Sequence, residues 1–239
     1  MKKLIYDLVF NHLPRLWFAR QFAVQNQYQS YVYSADCLAA YDDTLKKLTK
    51  LWPVWEALVR GKSFLELGCD TGFFPLQAGL MGASQALGLD RNQQALAQAE
   101  EARRCLGLGN VSFRQASIPG LGLSQTFDTV LFLSTIHYMF SDKEGNRLLF
   151  STMDDFIAFL AGLTGAHLLI EFVLPPDKYV QRLVAADLLA SGEYSQASFL
   201  AALSRHFAVL ADLGPTHLET RRLYLACRHG LPSILTPLA

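Results

Sequence analysis

From residue 63 onward the apolar positions alternate between short continuous runs and helical spacing. "SFLELG" reads as a buried strand and "FFPLQAGLMG" as the helix after it. "SQALGLD" is a second strand, and "NQQALAQAEEARRCLGL" a helix with an Ala/Leu stripe that ends at Gly107 and Gly109. "VSFRQAS" gives a third strand. "FDTVLFLS" gives a fourth, apolar almost throughout, as a strand covered on both faces must be. Residues 148–163 predict a helix feeding the strand "HLLIEFV", and after a helical stretch "HFAVLADLG" and "RLYLACR" are close enough to pair antiparallel. Alternating strands and helices predict an α/β fold: a doubly wound, mostly parallel sheet with helices on both faces and a C-terminal antiparallel pair.

The first 62 residues have a different texture. Leu4, Ile5, Leu8, Val9 and Leu13 recur at helical spacing until Pro14, and "YDDTLKKLTKLWPVW" places Leu45, Leu48, Leu51 and Trp52 on one helix face. Between them "QNQYQSYVYSA" has no clear period and reads as a loop. The expected organisation is an N-terminal helical cap over residues 1–62 and a ligand-binding domain over 63–239.

Composition changes this picture little. Half of the 239 residues are hydrophobic and the net charge is zero, which supports a full core and argues against a dedicated nucleic-acid binder. Residues 1–62 hold nine Lys/Arg against five Asp/Glu, so an anionic partner is a minor alternative. Cys37, Cys69, Cys105 and Cys227 are scattered, with no C-x-x-C pair, and predict neither a zinc site nor a disulfide framework. The amino-terminal apolar run is broken early by Asp7, Asn11, His12 and Arg15, and no apolar stretch approaches a membrane span. A soluble, cytoplasmic protein without membrane contact is expected.

The chemistry concentrates in "FLELGCDTGFF", residues 64–74. Gly68 and Gly72 allow a sharp turn and close approach of a ligand at the end of the first long strand. A dinucleotide fingerprint would carry a third glycine; Phe73, Phe74 and Pro75 stand there instead. Glu66, two residues before the turn, disfavours a phosphate and suits a cationic or zwitterionic ligand.

"ELGCDTGFF" resembles motif I of the class I S-adenosylmethionine-dependent methyltransferases, with Asp70 where the middle glycine is usual. The resemblance extends over residues 63–228 as an ordered series of elements and implies a seven-stranded sheet with S-adenosylmethionine as cofactor. It implies that Glu66, Gly68, Cys69, Asp70 and Gly72 face the aminoacyl end, and that Asp90, at the end of the second strand, binds the ribose hydroxyls. It further implies that Arg91, Ala116 and Ser117 flank the adenine, and that Leu133 and Ser134 line the methionine half. The acid common on the third strand is replaced by Ala116 and Ser117.

For transfer to a hydroxyl a base is needed. His137 in "STIHYMF" is the candidate, with Tyr138 beside it as donor or wall; Tyr31, Tyr33 and Glu171 are candidates for the acceptor pocket. No Asn-Pro-Pro-Tyr follows the fourth strand, and "LSTIHYM" resembles the pocket edge of small-molecule methyltransferases. A small-molecule acceptor methylated on O or N is therefore expected. RNA is the alternative acceptor, and a non-catalytic partner with a degenerate fold is the alternative class.

Overall fold

The computed structural model describes residues 22–26, 28–141 and 149–232. The helix expected over residues 4–13 lies outside them. The segment read as a loop is instead a three-stranded antiparallel sheet: β1 (Phe22–Gln25), β2 (Ser30–Ser34) and β3 (Cys37–Ala40). Its sequence hides this because both faces of β2 are largely covered, so polar–apolar alternation is lost. The helix that follows, α1 (Asp42–Val59), buries Thr44, Lys47, Leu48, Leu51, Val54, Trp55 and Leu58. Trp52, placed on the apolar face by spacing, is instead exposed, because the buried stripe runs through positions 51, 55 and 58.

The remaining elements are β4 (Ser63–Leu67), α2 (Phe73–Leu80), β5 (Gln85–Asp90), α3 (Gln93–Cys105), β6 (Val111–Gln115), β7 (Phe127–Phe132) and the short α4 (Ile136–Met139). They continue with α5 (Met153–Leu163), β8 (Thr164–Val173), α6 (Lys178–Leu183), α7 (Ala186–Ala190), α8 (Gln196–His206), β9 (Val209–Pro215) and β10 (Arg221–Cys227). Seven strands form one sheet in the order β6-β5-β4-β7-β8-β10-β9. Neighbours β4 to β8 pair in parallel; β10 is antiparallel to both β8 and β9 and is the reversed strand of the sheet.

Both faces are buried, and alternate residues serve different cores. Val130 and Phe132 of β7 join Leu168, Ile170 and Phe172 of β8 against α5 and α8. Leu131, Leu169, Leu223 and Leu225 face α1 and α2 on the other side. Continuous apolar strands are the sequence signature of this double cover. Chain order passes from β4 outward to β5 and β6, then returns to β7 on the opposite flank of β4. The strand order therefore reverses beside β4, and a crevice opens at the carboxyl ends of β4, β5 and β7. Among the described residues no helix is long and apolar enough to cross a membrane.

Candidate functional site

The turn after β4 is built from backbone that few side chains tolerate. Gly68, Asp70 and Gly72 have φ of 73°, 47° and 82°. A Cβ on Gly72 would collide with Phe113 and Ala99 at 2.6–2.8 Å, and one on Gly68 would press on Thr135 Cγ2 at 3.0 Å. Asp70 manages its left-handed conformation with support: its N–H donates to Asp90 Oδ2 at 2.8 Å, and Asn26 Nδ2 donates to its carboxylate at 2.7 Å. The amino-terminal sheet clamps the same turn. Gln29 Nε2 donates to the Cys69 carbonyl, Gln29 Oε1 accepts from Phe73 N and Thr71 Oγ1, and the Tyr31 hydroxyl donates to the Thr71 carbonyl at 2.6 Å.

Above this turn lies a cavity of about 490 Å³, within the range of small-molecule sites. Glu66, Gly68, Asp70, Asp90, Arg91, Ala116, Ser117, Leu133, Ser134 and Tyr138 all line it. Glu66 is 2% exposed, and its Oε2 has no hydrogen-bond partner among the described residues. Burial drives its carboxyl well above the ordinary carboxylate range; Lys47 opposes that shift, while Asp90 and Asp70 add to it. A bound cation would relieve the cost. Asp90 accepts one backbone N–H on each oxygen, from Asp70 and Asn92, and keeps lone pairs for further donors.

On the other flank Ser134 follows β7 with φ 59°. Its N–H and Oγ both donate to Glu171 Oε2, at 3.0 and 2.9 Å, and its Oγ accepts from Lys47 Nζ at 2.9 Å. Thr216 Oγ1 donates to Glu171 Oε1 at 2.5 Å. Burial alone would raise the Glu171 carboxyl, but Lys47, the Thr216 hydroxyl and Arg221 outweigh it and hold it below its ordinary value. Lys47, 6% exposed, is pushed down by burial against the pull of Glu171. A second cavity of about 200 Å³ adjoins here, lined by His137, Tyr179, Lys178, His217 and Arg221, and sharing Tyr28, Lys47, Ser134 and Tyr138 with the first. The hydroxyls of Tyr28 and Tyr138 meet at 3.2 Å where the cavities join.

Several expectations are corrected by this geometry. Glu171 is fully buried, lines neither cavity and has its oxygens occupied; it is an internal anchor rather than an acceptor contact. Tyr31 and Tyr33 also line neither cavity. As alternate residues of β2 they share one face, which packs Tyr31 on Phe73 and Tyr33 on Phe22. Cys69 and Gly72 shape the turn from below without reaching the cavity. His137 lines only the smaller cavity, is 2% exposed with an Nδ1 unpartnered among the described residues, and is pushed down to about 4 by burial and by Arg221. It is therefore neutral at pH 7 and a weaker base than its ordinary value implies.

Lys47, Gln29 and Asn26 escaped the sequence reading. Lys47 did leave a signal, since a lysine on the stripe 44, 47, 48, 51 of an amphipathic helix is misplaced unless paired. Gln29 and Asn26 left none.

Residues 58–160 match the family model described as a methyltransferase domain. That stretch is less than half of the chain, and over it the chain is similar to a methyltransferase domain. No curated protein matches the chain in sequence. Solved structures share this fold at low identity. The magnesium protoporphyrin IX methyltransferase ChlM from Synechocystis PCC 6803, with bound SAM, is 18% identical, covers 78% of this chain and 79% of its own, and has a TM-score of 0.53. An S-adenosylmethionine dependent methyltransferase from Mesorhizobium loti is 21% identical over 75% of this chain and 98% of its own, with a TM-score of 0.52. WbdD is 20% identical over 82% of this chain and 42% of its own, with a TM-score of 0.59.

The residues fit the cofactor of that domain class. The crevice offers a buried carboxylate with an oxygen unpartnered among the described residues for an ammonium, the Gly68 turn along its wall, and Asp90 for paired hydroxyls.

Proposed function

We propose that the protein transfers the methyl group of S-adenosylmethionine to an oxygen or nitrogen of a small molecule. The observation that carries this reading is Glu66, a buried carboxylate with an unpartnered oxygen in the larger cavity. Such a group is costly unless a cation completes it, and the aminoacyl ammonium is that cation. Lys47 would hold the aminoacyl carboxylate, Asp90 the ribose hydroxyls, and Arg91, Ala116 and Ser117 would border the adenine. The cofactor, once bound, supplies an electrophilic methyl group on a sulfonium.

The chain's own contribution is alignment and exclusion of water. The acceptor enters the smaller cavity, and its nucleophilic atom reaches the larger one past Tyr28, Tyr138 and Ser134, which border both. His137, unprotonated at neutral pH and with an Nδ1 unpartnered among the described residues, is the proposed acceptor of a hydroxyl proton. Two small adjoining cavities favour a small acceptor over a polynucleotide. The unbridged state of all four cysteines suits a reducing compartment, in keeping with a cytoplasmic enzyme.

Calorimetric titration with S-adenosylmethionine, S-adenosylhomocysteine and NAD tests the reading. Micromolar binding of the first two and none of NAD is expected; no binding of either adenosyl compound would overturn it.

A further inference from the structure

The smaller cavity has a charge arrangement that methyl transfer alone does not require. Three cations gather around the ring of Tyr179: Lys178 Nζ at 5.2 Å, Arg182 Cζ at 5.4 Å and Arg221 Cζ at 5.7 Å from its centroid. Lys47, Lys178 and Arg221 line the cavity, with Asp43 as the sole carboxylate among its described lining residues. Asp43 already holds Lys46 at 2.9 Å.

The balancing acids stand behind the wall. Asp177 accepts from Tyr179 N, Thr220 Oγ1 and Arg221 Nε, and Glu171 is occupied by Ser134 and Thr216. Neither lines the cavity. Positive groups on a concave wall with their counter-charges set back focus a positive potential into the space. The buried His137, with its unpartnered Nδ1, borders the same space. The rest of the wall includes the rings of Tyr28 and Tyr138.

We propose that the methyl acceptor is a small planar carboxylic acid whose carboxylate docks at Lys178 and Arg221, with its ring against the tyrosines and its nucleophilic atom directed toward the larger cavity. This rests on the methyltransferase reading, which supplies the reason for an acceptor there. A single negative charge fits better than two. Glu171 and Asp177 already offset two of the charges of Lys47, Lys178 and Arg221 from behind the wall, so the cavity gains from placement rather than from a large surplus. A carboxylate therefore suits it better than a phosphate dianion. A carboxylate here also draws His137 toward its protonated form, strengthening the base beside it.

The test uses the full chain and ligand-observed fluorine NMR with three probes: 4-fluorobenzoate, its neutral amide, and 4-fluorophenyl phosphate. Each is titrated with and without S-adenosylhomocysteine, whose own binding is read by calorimetry. The expected result is binding of the benzoate at least about tenfold tighter than the amide or the phosphate. Lys178→Gln, at an exposed side chain, should weaken the benzoate several-fold, and Arg221→Lys should weaken it further. Equal binding of benzoate and amide, tighter binding of the phosphate, absence of benzoate binding, or indifference to Lys178→Gln would overturn the proposal. Failure of S-adenosylhomocysteine to bind would instead sink the methyltransferase reading, while the benzoate arm without it still reports on the pocket.

Discussion

Two glutamates on neighbouring regions of one sheet, Glu66 of β4 and Glu171 of β8, are almost equally inaccessible and differ in everything else. Glu171 has three protein donors on its two oxygens and lies near Lys47, Arg221 and His217. Glu66 has an oxygen with no partner among the described residues and borders a cavity. Burial pushes both carboxyls upward, but only at Glu171 do the partners win. The lesson is that saturation, not burial, separates a structural acid from a candidate ligand-binding one.

The largest way to break this contrast is Glu171→Ala. Removing the anchor leaves Lys47 and Arg221 without their shared counter-charge, and a loss of about 3–5 kcal/mol of stability is expected in urea unfolding at pH 7. Its pH signature follows from the lowered carboxyl: the stabilisation is present above the ordinary value of 4.5 and fades as pH falls through the folded value.

His137 sharpens the contrast on the histidine side. Its folded value of about 4 against 6.5 means that wild-type stability falls as pH drops from 6.5 to 4. In His137→Gln that fall should shrink by about 3 kcal/mol, measured by urea unfolding across this range.

Glu66→Gln should do the opposite of Glu171→Ala. Because the folded carboxyl is raised, Glu66 costs stability as pH rises above 4.5, so the variant should unfold at equal or higher urea at pH 7. It should nevertheless bind S-adenosylmethionine at least about tenfold more weakly, a loss of about 1.4 kcal/mol. Reduced stability with unchanged binding would place Glu66 beside Glu171 as an anchor.

Gln29→Ala releases the Cys69 carbonyl and Phe73 N–H beside Glu66, and about 1–2 kcal/mol of stability should go with it. Tyr28→Phe is the smallest change. It removes one half-exposed hydroxyl contact and should shift stability by less than about 0.5 kcal/mol.

The legible part of the molecule was the part whose chemistry is local. The turn 68–72 needs glycine for its backbone, and Asp90 closes its strand at a fixed distance from that turn, so both could be read in order along the chain. The segment 22–40 could not, because Tyr31 is buried against Phe73 and Tyr33 against Phe22, and their aromatic character suits a lid equally well. Glu171 looked like a pocket acid for the same reason: its three donors come from residues 134 and 216, far away in sequence.

What the sequence by itself determined is the succession of strands and helices, since double-faced burial writes continuous apolar runs and amphipathic helices write a period. It also determined the glycine turn and the acid two residues before it. Tertiary structure alone decided the strand order, which places β7 and β5 on opposite flanks of β4. It also decided which buried acid is satisfied, and brought Lys47, Ser134, His137 and Arg221 to the edge of one cavity. Those outcomes depend on hydrogen bonds and charges between residues tens of positions apart, whose pairing is fixed only when the sheet closes its register.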